Sequence, residues 1–73
     1  MEYATALTNY LKSESQEELA KRVGCSQATI SRYKDGDRFP SRDLAEKIDN
    51  ATEGKVPVAL WIASATKRFG LAA

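Results

Sequence analysis

The 73-residue sequence predicts an all-α fold, a small bundle of about five helices. Three observations carry that prediction. Apolar residues recur at three- and four-residue spacing through most of the chain. Serines suited to capping a helix stand just ahead of two of the periodic runs, at Ser15 and Ser26, and glycines close three of them, at Gly24, Gly36 and Gly54. One stretch of the tail also alternates as a strand would, so the alternative is an α+β fold with a C-terminal β-hairpin within residues 55–73.

In the first run, Tyr3, Leu7, Tyr10 and Leu11 share one face of an amphipathic helix that ends near Lys12. "SQEELAKRV" follows, with Ser15 as N-cap and Glu18 three residues on, a capping box in which each side chain can satisfy the other's free amide. Glu17 and Glu18 in its first turn and Lys21 and Arg22 in its last complement the helix dipole. Gly24 can end that helix in a left-handed conformation, and Ser26 caps the next one only two residues later. Helices joined so tightly must cross steeply.

The third helix, "QATISRYKD", keeps Ile30 and Tyr33 on one face and stops in the turn-forming run "DGDRFPS". Pro40 and Ser41 introduce a fourth, "RDLAEKIDNAT", where Leu44, Ile48 and Ala51 recur at helical spacing. Two periodicities compete in the tail. Val58, Trp61, Ile62, Ala65 and Phe69 make a helical face, whereas Val56, Val58, Leu60 and Ile62 alternate. Pro57 would cost a central strand a hydrogen bond and "ASATK" is a poor strand, which favours the helix.

A chain this short makes one domain, residues 1–73, and buries a modest core, so a second copy is a natural source of further stability. The lone Cys25 cannot form an internal disulfide, and with no histidine there is no thiolate and imidazole set for zinc; no metal or cofactor is expected, and a reducing cytoplasm is the expected location. The opening "MEYATALTNYLKSES" lacks the apolar core of a signal peptide, and no stretch approaches the roughly 20 apolar residues that span a bilayer. Net charge is only +1, but its distribution is uneven: residues 26–42 carry Arg32, Lys34, Arg38 and Arg42 against Asp35 and Asp37.

A capped helix, a glycine turn and a short capped helix together make a helix-turn-helix, the unit whose second helix enters the DNA major groove. Ala20 lets the two helices approach, and Val23, Ile30 and Tyr33 supply apolar contacts between them. With Ile30 and Tyr33 inward, Gln27, Ala28, Ser31 and Arg32 must face out. That outward face is read as short polar side chains plus one arginine with no carboxylate, which suits a polyanion. Gln27 can pair bidentately with adenine, Arg32 with guanine or phosphate, and the Ala28 methyl can pack on that of thymine. Lys34, Arg38 and Arg42 are further candidates for phosphate contact.

Over "QEELAKRVGCSQATISRYKDG", residues 16–36, the chain resembles the Cro repressors of lambdoid phages and the wider group of phage-type helix-turn-helix regulators. Some members of that family have a helical second half and others a β-hairpin. The helical reading of "SRDLAEKIDNATEG" makes this chain most like the all-α branch. The resemblance implies that Gln16 touches a phosphate at the amino end of its helix, and that Ser26, Gln27, Ala28, Ser31 and Arg32 face bases and backbone.

The expected function is therefore sequence-specific repression of transcription. A weak homodimer would bind a two-fold operator in double-stranded DNA, with the recognition helix, residues 27–35, in the major groove and no small-molecule ligand or membrane involved. Residues 55–73 are the candidate dimerisation tail, because Val56, Leu60 and Leu71 fall outside the helical stripe; Val56, Val58, Leu60 and Trp61 form the expected contact. An alternative is a helix-turn-helix protein-interaction module, such as an antitoxin or adaptor, that uses the same apolar tail. An enzyme is not expected, since the usual nucleophile and acid-base sets are missing.

Overall fold

The structure, a computed structural model, describes residues 2–69, with side chains as far as Lys67. Five helices follow in order: α1 (Tyr3–Tyr10), α2 (Gln16–Val23), α3 (Gln27–Asp35), α4 (Arg42–Ala51) and α5 (Val58–Phe69). No strand occurs among the described residues, so the all-α class holds and the hairpin alternative is overturned.

The two predicted serine caps are both made, and Ser41 caps α4 in the same way. The side chains of Ser15, Ser26 and Ser41 accept hydrogen bonds from the backbone N–H groups of Glu18 (3.3 Å), Thr29 (3.1 Å) and Leu44 (3.3 Å). Each such cap contributes about 1 kcal/mol by satisfying an amide that has no partner within its own helix. Helix α1 is shorter than its apolar spacing implied. Beyond Tyr10 the chain tightens, with Lys12 N–H donating to Asn9 and Ser13 N–H to Tyr10, both at 3.3 Å.

Helix α1 packs on α3 and α5, α2 on α3 and α4, and α4 on α5. Leu7, Leu19, Ile30, Ile48 and Val56 are wholly or almost wholly buried where these helices meet. Burying an aliphatic side chain of this size stabilises by about 1.5–3 kcal/mol, so these five supply much of the apolar drive. In α4 the buried line is Ala45 and Ile48, continued by Thr52, while Leu44 and Ala51 sit half-buried at its margins.

Between α4 and α5, two polar side chains of the α4 end fold the chain back. Thr52 is buried; its hydroxyl donates to the Ile48 carbonyl (2.8 Å) and accepts from Val56 N–H (3.1 Å). Asp49 Oδ2 accepts from Val58 N–H at 3.0 Å and so caps α5 from a different helix. The reversal passes through two left-handed residues, Glu53 at φ 55° and Gly54 at φ 82°.

This turn corrects the expected inward face of the tail. Val56 lies in the turn rather than in a helix and is 0% exposed, so it is a core residue and is withdrawn from the dimer contact. Leu60 packs half-buried against the core, whereas Ile62, expected inward, is 44% exposed. Ala65 is buried as expected, and the Phe69 side chain and Leu71 lie outside what is described.

Tyr3 is buried, and its hydroxyl has no hydrogen-bond partner among the described residues. Burial, followed by the neighbouring Tyr33 and Asp49, pushes its phenol well above the usual range; burial likewise raises Tyr33, reinforced by Cys25 and opposed by Arg38.

Two predictions follow from this packing. Asp49→Ala removes the cap on α5 and should cost about 1 kcal/mol, seen as a lower urea midpoint, while Asp49→Asn keeps an acceptor oxygen and should recover most of it. Equal loss in both variants would contradict the cap. The second concerns alkali. Because the folded chain holds Tyr3 and Tyr33 neutral to higher pH than the unfolded chain does, their contribution is fully present below the unfolded phenol value of about 10 and is lost as pH rises above it. Tyr3→Phe should leave stability at pH 7 equal or higher, since the ring stays and an unpaired hydroxyl goes, and should flatten the alkaline fall in thermal midpoint.

Candidate nucleic-acid interface

The site begins with the connection between α2 and α3. Gly24 adopts φ 84° and ψ 32°, and both its N–H and that of Cys25 donate to the Ala20 carbonyl, at 2.8 and 3.0 Å. A Cβ at Gly24 would meet no heavy atom within 4 Å. The glycine is therefore required by backbone angle alone, where an L side chain costs about 1–2 kcal/mol. Cys25 is half-buried, and burial pushes its thiol above the usual range.

Ser26 then starts α3. Its hydroxyl caps Thr29 N–H and lies 2.8 Å from Thr29 Oγ1, so the first turn is fixed by two contacts from one side chain. Ile30 and Tyr33 are buried against the rest of the bundle. Ser26, Gln27, Ala28 and Arg32 are exposed and Ser31 is half-buried, so all five lie along the outer side of the corner. Thr29, which sequence reasoning did not select, is half-buried beside them; its signal was its place three residues after a serine cap.

The outer face is not free of acid along its whole length. Asp35, seven residues after Ala28, falls on the same side and is exposed, 3.9 Å from Lys34 Nζ. The first two turns of α3 thus present Gln27, Ala28, Ser31 and Arg32 without a carboxylate, and the last turn does not. Arg32 makes no ion pair with Asp35, and none with another described residue.

Helix α3 ends at Gly36, at φ 81°, and the N–H groups of Asp37 and Arg38 fold back onto the Arg32 carbonyl at 3.0 and 3.3 Å. Arg38 is exposed and has no ion-pair partner among the described residues. Lys34 is half-buried, and Arg42 is drawn to Glu46 at 3.5 Å, one turn on in α4. Of the basic residues expected near phosphate, Arg32 and Arg38 are thus the two with exposed, uncommitted charge.

Gln16 occupies the first position of α2, half-buried, with its Oε1 buried and without a partner. That oxygen is an acceptor, so a contact with phosphate would fall to the NH2 of the same side chain. Arg22, at the other end of α2, reaches the Ala51 carbonyl at 3.4 Å and ties the corner to α4. No group of three or more ligating side chains suited to a metal occurs among the described residues.

Of the residues assigned to the tail contact, Val58, Leu60 and Trp61 are half-buried on α5. Trp61 is committed in part to its own chain. Its indole N–H donates to the Pro40 carbonyl at 2.8 Å, and its ring stacks on Phe39.

A capped helix, a left-handed glycine and a second capped helix with a polar outer side form an arrangement that can lay short donors and acceptors along base edges while nearby arginines meet phosphate. Comparison with known protein families bears on this geometry directly. The family model described as Helix-turn-helix matches residues 15–56, more than half of the chain and the whole of α2, α3 and α4. No curated protein and no solved structure matched. The chain belongs to the helix-turn-helix family of DNA-binding transcription regulators.

Proposed function

We propose that this regulator is a repressor similar to the Cro proteins of lambdoid phages, of the all-α kind, which binds a two-fold operator as a weak homodimer. The observation that carries the reading is the division of α3: Ile30 and Tyr33 are buried, while Gln27, Ala28 and Arg32 stand exposed beside a half-buried Ser31. With α3 in the major groove, Gln27 reads a base edge, Ala28 and Ser31 fit close against the groove floor, and Arg32 takes guanine or phosphate. Gln16 and Arg38 hold the backbone on either side, and Ser26 lies where the first turn of α3 meets it. Repression then needs only occupancy of a promoter, with no effector pocket.

A single short helix offers few base contacts, and each good bidentate pair discriminates by about 1–3 kcal/mol. Two copies double that. The dimer contact in this reading lies on α5, where Val58, Leu60 and Trp61 are half-buried and Ile62 is the large apolar side chain left exposed among the described residues. Dimerisation and operator binding are then thermodynamically linked.

Selection of bound duplexes from random DNA is the direct test. The expected outcome is a two-fold motif with half-sites one helical turn apart, about 34 Å; a failure to enrich any sequence at low salt would contradict the reading. Within a selected site, Arg32→Ala should weaken binding. If the guanidinium meets phosphate, the slope of log K against log salt should fall by about one; if it meets a base, the slope should hold while preference at one position relaxes. Unchanged affinity and preference would remove Arg32 from the interface.

A further inference from the structure

The segment between α3 and α4 is held from both ends. At its start, the Arg32 carbonyl receives the N–H groups of Asp37 and Arg38. At its end, Trp61 of α5 donates its indole N–H to the Pro40 carbonyl at 2.8 Å and lies stacked on Phe39, with ring centroids 5.6 Å apart and an interplanar angle of 20°. Phe39 also meets Tyr3 of α1 edge-on, at 5.9 Å and 65°. Three aromatic rings from α1, the segment and α5 thus form one row. Arg38, next to Phe39, remains exposed and without an ion pair among the described residues.

We infer that Trp61 is a positioning residue for DNA binding: through Phe39 and Pro40 it holds the α3–α4 segment in the one conformation that presents Arg38 to the phosphate backbone alongside α3. This rests on the DNA-binding reading above and adds to it a residue on the far helix that touches no DNA. The physical reason is preorganisation. A connection rich in turn-forming residues would otherwise sample many conformations, and ordering it on binding would subtract from the affinity that Arg38 supplies. Indole is suited to the task because one ring gives both an aromatic face for Phe39 and a donor for the Pro40 carbonyl. Phenylalanine keeps the first and removes the second.

The test measures binding of the full chain to a 20-base-pair duplex of mixed sequence at low salt, for the unaltered protein, Arg38→Ala, Trp61→Phe and the double variant, with helix content checked by circular dichroism and binding compared at concentrations where sedimentation gives all four the same oligomeric state. Trp61→Phe should stay folded and bind roughly five- to tenfold more weakly with a shallower salt slope, and Arg38→Ala should cost little further in that background. Weaker binding with an undiminished Arg38→Ala effect and an unchanged slope would reduce Trp61 to a stabilising residue and overturn the inference; so would unchanged binding. If Trp61→Phe does not fold, the unaltered chain still decides. It has one tryptophan and hence one indole N–H resonance, which should stay nearly in place on titration with the duplex, because the contact it reports is already formed in the free chain. A large shift or loss of that signal on binding would show that the segment rearranges and would contradict the inference. Absence of any binding by the unaltered protein would instead bring down the DNA-binding reading, and this inference with it.

Discussion

The constraint on which the rest depends is the length of the connection between α2 and α3. Three residues, numbers 24–26, must end one helix, reverse the chain and begin the next. That is feasible because Gly24 enters the left-handed region, the Ala20 carbonyl takes two successive N–H groups, and Ser26 supplies the cap from within the turn itself. With so few free torsions, the rotation of α3 about its own axis is set. Each residue along an α-helix advances the side-chain direction by about 100°, so a turn one residue longer would bury a different pair and expose a different set. The inward Ile30 and Tyr33 and the outward Gln27, Ala28 and Arg32 are two consequences of one phase.

The remaining helices hold that phase in place. Helix α1 backs α3, and α4 backs α2, with Arg22 reaching across to the α4 end. Helix α5 returns over α1 and α4 because Thr52 and Asp49 capture the N–H groups of Val56 and Val58. From there Trp61 reaches Phe39 and Pro40. The far end of the chain therefore supports the segment that follows the outward helix. An exposed polar face on α3 is possible only because its opposite side is so fully occupied.

Much of this was legible in the sequence because it is local. The serine caps, the closing glycines Gly24 and Gly36 and the spacing of Ile30 and Tyr33 are decided within a few residues, and each appears in the structure where those residues placed it; Gly54 instead lies in the turn beyond α4, whose C-cap is Thr52. The tail was harder, for a physical reason. Val56, Val58, Leu60 and Ile62 alternate, yet Val56 is held in a turn by a hydroxyl four residues back and α5 starts only at Val58, so the two are buried by different mechanisms. Periodicity across that boundary mixes a turn residue with helical ones, which is why Ile62 was expected inward and Val56 outward. The Asp49 cap and the Trp61 link join residues 9 and 21 positions apart, a separation at which no local pattern operates. Asp35 was overlooked because the outward face was followed for two turns and not into the third.

A single helical phase sorts α3 into a packed side and an exposed side, and the proposed function puts the exposed side against DNA. Backbone amide chemical shifts of the isotopically labelled protein, followed during titration with duplex DNA, distinguish the two sides. The largest shifts are expected at residues 26–32, with a second group near Gln16 and Arg38, while amides on the exposed side of α5 around Ile62 move little at concentrations where the oligomeric state is constant. Shifts concentrated on α5 or α1, with α3 undisturbed at saturation, would contradict that placement.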